Sequence, residues 1–164
     1  MSKHFVLKYK KDFIDKPILI PGVINMISTR GRYALRVMVD LAELDEGNYI
    51  SLKTIAERQN ISLKYLERII PSLKKAGLIE GIQGKNGGYR LGKNPKKYTV
   101  GEILRVTEND LAPVACLAKG AKKCPRKNQC RTIKMWEDYQ KLTTDFFEGI
   151  TLASLCNQGK RKLF

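Results

Sequence analysis

Three cysteines lie close together in the C-terminal half of the chain. Cys116 and Cys124 are separated by seven residues, and Cys124 and Cys130 by five, within the stretch CLAKGAKKCPRKNQC. Lone cysteines are usually buried as small apolar residues, but this stretch is too polar to form a core. The trio therefore indicates a loop that binds a soft metal centre. The thiolate is the form that binds such a centre, and nearby cations favour it by lowering the thiol pKa. The cations in and around this loop are Lys119, Lys122, Lys123, Arg126 and Lys127.

An iron–sulfur cluster fits this spacing better than zinc does. Structural zinc sites favour ligands two to four residues apart, and no fourth Cys or His stands nearby. Clusters tolerate irregular spacing, because tertiary structure brings their ligands together. We expect [2Fe-2S], with [4Fe-4S] as the alternative and zinc as a weaker one. Cys156 is about 27 Å beyond Cys130 if the intervening residues are helical, at 1.5 Å per residue, and is expected to be a buried apolar residue.

Composition narrows the class of protein. A chain of 164 residues suits one domain with an appendage, and a net charge of +15 indicates a polyanionic partner, nucleic acid before a membrane surface. No apolar run is long enough to span a membrane, and residues 1–25 lack the features of a signal peptide. We therefore expect a cytoplasmic protein. No acid/base pair or nucleotide-binding loop indicates an enzyme, and a small iron–sulfur electron carrier would usually be acidic.

The N-terminal half shows the order of elements of a winged helix-turn-helix. Apolar residues at helical spacing predict a first helix from Arg30 that ends at Gly47-Asn48. Ser51 caps a second helix, 52–59, and Ser62 caps a third that ends at Gly77. The apolar face of the third helix is predicted to comprise Leu63, Leu66, Ile69, Ile70 and Leu73, with Pro71 inside it. Residues 78–82 and 89–91 read as strands around a Gly- and Asn-rich turn, which is the wing.

The C-terminal half reads as helices around the cysteine loop. Thr99 to Glu102 is a capping box that starts a helix running to about Glu108. A long helix follows from Arg131 to about Glu148, and Thr151 caps a short last turn. Two apolar lines run along the long helix, wider than a small domain can cover, so we expect a second subunit to cover it. The lines are Ile133, Trp136, Gln140 and Phe147, and Met135, Tyr139, Leu142 and Phe146.

These features predict a mainly α fold with a small β-wing, in which a winged helix-turn-helix domain is followed by a long C-terminal dimerisation helix. We divide the chain into an extension that is flexible or not native (1–25), the winged domain (26–98), a segment with the linker helix, the cysteine loop and the dimerisation helix (99–157), and a basic tail (158–164).

Five segments of the chain resemble the IscR-type family of bacterial transcription regulators, and three cysteines precede the last of them. The segments are ISTRGRYAL, ISLKYLERIIPSLKKAGLI, GKNGGYRLG, YTVGEILRV and ITLASL. The resemblance runs from about Met26 to Asn157. It implies a winged-helix homodimer that binds double-stranded DNA, with an iron–sulfur cluster on Cys116, Cys124 and Cys130 that senses cluster supply, nitric oxide or redox state. Other members lack the cysteines, so a cluster-free or zinc-binding regulator acting through a protein partner is the alternative.

The chain departs from the family at the fourth cluster ligand. A histidine that some members carry three residues after the last cysteine is replaced by Ile133, and the only histidine is His4. An acidic residue that other members use near the N-terminus of the partner subunit aligns with Tyr33. The fourth ligand therefore stays unassigned.

The winged helix-turn-helix pattern also predicts which residues contact DNA. The third helix of such a domain enters the major groove, where Arg68 can grip a guanine and Glu67 can accept from cytosine N4. The resemblance implies that the matching glutamate takes part in site selection. The expected base-reading residues are Ser62, Lys64, Tyr65, Glu67 and Arg68, and the expected wing contacts are Gln83, Lys85 and Asn86. Phosphate contacts are expected from Thr29, Arg30, Arg32 and Lys53.

Overall fold

The computed structural model describes residues 27–44, 47–84, 87–108 and 110–158. The predicted extension, the tail beyond residue 158, and the expected wing contacts Lys85 and Asn86 lie outside the described residues. No helix in the described part of the chain is both long enough and apolar enough to cross a membrane.

Three helices form the N-terminal half of the described structure. They are α1 (Thr29–Glu43), α2 (Leu52–Gln59) and α3 (Leu63–Lys75). A serine caps each N-terminus, and its side-chain oxygen accepts a hydrogen bond from the backbone N–H three residues on. Asn60 ends α2 with a φ of 49° and Gly77 follows α3 with a φ of 69°, a left-handed conformation that asparagine and glycine adopt more readily than other residues.

The wing is a two-stranded antiparallel sheet of β1 (Ile79–Ile82) and β2 (Gly88–Leu91). Ile79 lies opposite Leu91, and Ile82 lies opposite Gly88. Ile50 pairs with Tyr89 through two backbone hydrogen bonds of 2.8 and 2.9 Å, which fixes the wing to the segment before α2. The approach is so close that a Cβ on Gly88 would lie 2.4 Å from the Ile50 carbonyl oxygen.

The C-terminal half consists of three helices and the loop between the first two. The helices are α4 (Val100–Glu108), α5 (Ile133–Glu148) and α6 (Leu152–Gln158). Short 3-10 turns at Ala115–Leu117 and Lys127–Gln129 interrupt the loop. The segments before α4 and α6 pair at an isolated bridge between Thr99 and Thr151, so the two ends of this half meet.

One hydrophobic core joins both halves. α3 contributes Leu66, Ile69 and Leu73, and it packs with side chains of α1, α4 and α6, all nearly or fully buried. Tyr98 is fully buried; its hydroxyl donates to the Leu78 carbonyl oxygen at 2.7 Å and accepts from the Lys93 N–H at 2.8 Å. Because a buried hydroxyl needs partners, these two bonds fix the chain between the wing and α4.

A buried carboxylate holds α1 against α2. Asp40 is 4% exposed and accepts two hydrogen bonds from Arg58, at 2.6 and 3.1 Å, and one from Gln59 at 2.8 Å. The hydrogen bond to Asp40 raises the pKa of Arg58. A charge taken out of water needs such partners, so this contact sets the angle between the first two helices.

Two helix N-termini are capped by glutamates from distant parts of the chain. Glu108, at the end of α4, accepts from the Ser28 hydroxyl at 2.8 Å and from the Ser28 N–H at 3.3 Å at the start of α1. Glu148, at the end of α5, accepts from the Thr99 hydroxyl at 2.7 Å and pairs with Arg105 at 2.5 Å at α4. A negative charge at a helix N-terminus is favoured by the helix dipole.

The fold class agrees with the sequence prediction, and several details do not. α1 ends at Glu43 rather than at Gly47-Asn48. Leu63 is not on the buried face of α3 but 42% exposed. Only half of the predicted capping box forms, because Glu102 accepts from Lys93 instead of from the backbone of Thr99.

The expectation that Cys156 is buried is also wrong. The residue is only partly buried, on α6, and its thiol donates to the Leu152 carbonyl oxygen at 3.3 Å. It lies at the edge of a helix that covers the core from one side, where Leu152 takes the fully buried position.

The capping of α4 by Glu148 predicts a pH-dependent stability. The Thr99 hydroxyl, followed by Arg105, lowers the pKa of Glu148 below its ordinary range. Because the folded state favours the ionised carboxylate, its contribution is complete above the ordinary pKa and is lost as the pH falls through the folded-state pKa. Glu148→Gln should therefore lower the melting temperature at neutral pH, and the difference from the parent should shrink toward about pH 3.

Thermal melts followed by circular dichroism measure this difference. Glu57→Gln is the matched control, since Glu57 is 66% exposed and makes only a 3.9 Å pair with Lys53; its effect should be small at every pH. A Glu148→Gln difference that stays constant across the titration would contradict the capping role.

Candidate functional site

α3 presents a polar face to the outside. Ser62, Lys64, Glu67 and Arg68 are exposed, while the opposite face of the helix is buried in the core. The Ser62 side chain accepts from the Tyr65 N–H at 3.3 Å, so it serves the helix as its cap. These exposed groups have the length and polarity to reach base edges and phosphates.

Tyr65 is less available than its sequence position suggests. It is half-buried, and its ring stands edge-on to Tyr33 of α1 with centroids 5.3 Å apart. The pair packs α1 against α3, so the Tyr33 ring has a packing role in this chain.

Arg30 also points toward α3 rather than freely outward. Its Nη2 donates to the Ser72 hydroxyl at 2.5 Å and to the Arg68 carbonyl oxygen at 3.4 Å. Among the described residues, its Nε is the one buried side-chain nitrogen or oxygen without a hydrogen-bond partner. This geometry suits a residue that positions the recognition helix better than one that only contacts a phosphate.

The remaining expected contacts are exposed or partly exposed. Arg32 is exposed at the start of α1 and donates to the Thr29 hydroxyl at 2.9 Å. Lys53 is exposed on α2, and Gln83 is exposed at the end of β1, where the wing turn begins. The structure thus leaves Arg32, Lys53 and Gln83 accessible to a partner.

The cysteine loop brings its three thiols to one cavity. Cys116, Cys124 and Cys130 line a cavity of about 150 Å³ together with Lys122, Lys123, Lys127 and Ile133. Cys116 is exposed, and the other two are partly buried. Three of the residues that line the cavity are lysines.

The start of α5 favours the thiolate of Cys130 in particular. The Thr132 hydroxyl lies 3.5 Å from the Cys130 sulfur. This hydroxyl lowers the pKa of the Cys130 thiol most, and the Thr132 N–H lowers it further. Arg126 contributes less. The sequence predicted that basic side chains lower the thiol pKa. For Cys130, a hydroxyl and backbone N–H groups at the start of α5 lower it more.

Contacts of Asp110 and of α5 hold the loop in place. Asp110 accepts from the N–H groups of Lys119 and Ala112 and so folds the segment that carries Cys116; the bond from Lys119 lowers the pKa of Asp110. Lys127 pairs with Glu137 of α5 at 3.2 Å. No local sequence pattern marks Asp110, whose partner Lys119 lies nine residues further along the chain.

The three thiols are soft donors of the type that iron–sulfur clusters take as ligands. Three thiols share one cavity, yet no three His, Cys, Asp or Glu side chains in the described part of the chain are arranged to hold one ion. A cluster takes thiolates on more than one iron atom, so its ligands need not converge on one point. Ile133 lines the cavity without offering a donor, and the fourth ligand stays unassigned.

The cysteine loop is joined to the start of α1 through Glu108. This residue stands two positions before Asp110, at the entrance of the loop, and caps α1 through Ser28. Ser28 in turn accepts from the Gly31 N–H at 3.1 Å. A Cβ on Gly31 would lie 2.1 Å from the Glu108 carboxylate, so the glycine leaves the space that this contact occupies.

Known proteins are similar to this chain in sequence and in fold. Residues 27–158 match the Rrf2 family, described as an iron-dependent transcriptional regulator. The HTH-type transcriptional regulator IscR of Escherichia coli (strain K12 / DH10B) is 37% identical over 131 residues, which is 80% of each chain. The structure of T. potens IscR is similar with a TM-score of 0.66 and 34% identity, over 84% of this chain and 90% of that one.

The structure of CymR, the global cysteine regulator of B. subtilis, is as similar, with a TM-score of 0.66 and 33% identity over 80% of this chain and 96% of that one. The resemblance inferred from the sequence is confirmed. The matched residues contain the helix-turn-helix, the wing and the cysteine loop, and the chain therefore belongs to the Rrf2 family and is a DNA-binding transcriptional regulator rather than an enzyme.

Proposed function

We propose that this regulator binds a pseudo-palindromic operator as a homodimer, and that an iron–sulfur cluster on Cys116, Cys124 and Cys130 controls its affinity. The observation that carries the proposal is that the three thiols line one cationic cavity beside the start of α5. When bound, such a cluster, [2Fe-2S] before [4Fe-4S], supplies a centre that responds to oxidants, nitric oxide or iron supply. The other steps depend on the chain's own residues.

The DNA-binding role rests on the exposed face of α3. Lys64, Glu67 and Arg68 are solvated and project from the first two turns, the part of a recognition helix that meets base edges. Arg30 braces this helix from α1 through Ser72. Arg32, Thr29 and Lys53 flank it as proposed phosphate contacts, and Gln83 together with Lys85 and Asn86 is proposed for the minor groove.

Dimerisation is supported by the outer side of α5. Met135, Tyr139, Leu142 and Phe146 are 53%, 40%, 65% and 60% exposed, and we call these four residues the apolar stripe of α5. No residue of α5 is buried within the single chain. An apolar stripe of this size on a long helix is unfavourable when exposed to water. In a symmetric dimer the same stripe on a second copy can cover it.

Coupling between the thiols and the DNA follows a chain of contacts. The loop begins at Asp110, next to Glu108; Glu108 caps α1 through Ser28; and Arg30, two residues later, bonds to α3. A shift of the loop entrance would move the cap and with it the helix that carries Arg30. Contiguity alone does not demonstrate coupling, so the chain of contacts is tested below.

A second candidate function is a cluster-free regulator that acts through a protein partner. The structural similarity to CymR equals that to T. potens IscR, so the fold is compatible with either function. The three thiols around one cavity favour the cluster, and the spectrum of the purified protein decides between them.

Cluster binding predicts colour and a switch in affinity. Protein purified without oxygen should absorb visible light, and Cys124→Ala should lose this absorbance and bind DNA like stripped parent protein. The measurements are the visible spectrum, iron and sulfide content, and operator binding at fixed salt. Cys156→Ala is the matched control and should keep the absorbance, since Cys156 lies on α6 away from the cavity. A colourless protein with one zinc per chain would rule out the cluster.

Coupling through Glu108 predicts a variant that keeps the cluster and loses the response. Parent protein should show at least about a fivefold difference in operator affinity between loaded and stripped states, the lower end of typical coupling. In Glu108→Ala this ratio should approach one while the visible absorbance persists. Glu102→Ala, on the same helix but paired with Lys93, should keep the parental ratio. An unchanged ratio in Glu108→Ala would exclude this route.

The dimer predicts sensitivity to charge on the apolar stripe of α5. Leu142→Asp should raise the monomer–dimer dissociation constant at least about tenfold, because each subunit buries an unpaired carboxylate, and operator binding should weaken with it. Sedimentation equilibrium measures the first effect. Lys141→Gln is the neighbouring control, since Lys141 lies in a solvated pair with Asp145. Equal dissociation constants for parent and Leu142→Asp would contradict this interface.

A further inference from the structure

Leu63 is an apolar side chain in an unexpected place. It is the first residue of α3 and 42% exposed, and it belongs neither to the buried core nor to the partly buried side chains packed on it. At 3.6 residues per turn it lies about 60° around the helix from Leu66, which is fully buried. Leu63 therefore stands where the buried face of the helix meets its exposed face.

Leu63 has charged neighbours on α3 and a groove of mixed composition beside it. Lys64 follows it, and Glu67 lies one turn further along the same side; both are exposed. The shallow groove, which Leu63 helps to line, contains the apolar residues Ala56 and Ile61 as well as Lys53, Glu57, Asn60 and Ser62. The Lys53 side chain is 80% exposed. An apolar protein partner on Leu63 would have to desolvate Lys64 and Glu67 without pairing them, whereas the phosphates of a DNA duplex would complement Lys53 and Lys64.

The major groove offers one apolar group, the 5-methyl group of thymine. Single exposed leucines are common. Leu63 differs from them because it lies at the N-terminal end of a recognition helix, the end that meets base edges. We infer that Leu63 is a specificity-determining residue that contacts a thymine methyl group in each half-site. This inference rests on the proposed entry of α3 into the major groove and adds one base to what the polar residues read.

Uracil differs from thymine only by this methyl group, which makes the test sharp. An operator is first selected from random duplexes with the full chain, and each thymine is then replaced by uracil in both half-sites. Fluorescence anisotropy at fixed salt gives the affinities. One thymine position should be sensitive, with binding weakened about fourfold per half-site, as expected for one methyl group returned to water.

The variants assign that sensitivity to a residue. Leu63→Ala should bind the thymine and uracil operators equally, and Leu63→Met should keep most of the discrimination. Lys64→Ala is the matched control: it should weaken binding to both operators by the same factor and leave their ratio unchanged. Circular dichroism should show parental folding for Leu63→Ala, since the side chain it truncates lies outside the hydrophobic core.

Two results would overturn the inference while leaving the proposed function intact. In one, no thymine position is sensitive although Lys64→Ala and Arg68→Ala weaken operator binding. In the other, Leu63→Ala keeps the full discrimination, so that another residue contacts the methyl group. A third result, parental operator affinity in both Lys64→Ala and Arg68→Ala, would show that α3 does not enter the groove and would overturn both proposals.

Discussion

The contact between the Glu108 carboxylate and Ser28, the residue that caps α1, is the one on which the arrangement of this molecule depends. A helix N-terminus carries unpaired N–H groups and a partial positive charge, and here the charge that meets it comes from a residue eighty positions later in the chain. The same contact fixes where α4 ends and where the cysteine loop begins. Glu148 repeats the arrangement at α4, so the starts of α1 and α4 are each tied to the end of a later helix.

These ties are the part of the fold that sequence reasoning could not supply. α2 was predicted to the residue, because its cap Ser51 and its break at Asn60 are local signals. The capping glutamates are separated from their partners by 49 and 80 positions, and nothing in the local sequence marks them. Gly31 and Gly101 were the available hints, since both leave room for a carboxylate, but a glycine within a helical pattern has many explanations.

The misplacement of Leu63 has a different cause. Spacing of three and four residues assigned it to the buried face of α3, and that rule cannot tell the centre of an apolar face from its edge. At the helix start no preceding turn covers the side chain, so the edge position becomes exposed. The end of α1 was misjudged for a similar reason, because glycine marks where a helix can stop rather than where it does.

For the cysteine site, the sequence identified the three residues that share the cavity but not the groups that hold and activate them. Asp110 and Thr132 act through backbone N–H groups and a hydroxyl, which leave no compositional trace.

The solvated apolar stripe of α5 has a consequence for how the regulator responds to its own abundance. On the proposed dimer, two chains must meet before the stripe is covered, so at low copy number the active species grows with the square of the amount synthesised. Operator occupancy would then rise more steeply with expression than a single-chain binder allows. A promoter under such control has a threshold set by subunit affinity, independent of any signal that reaches the thiols.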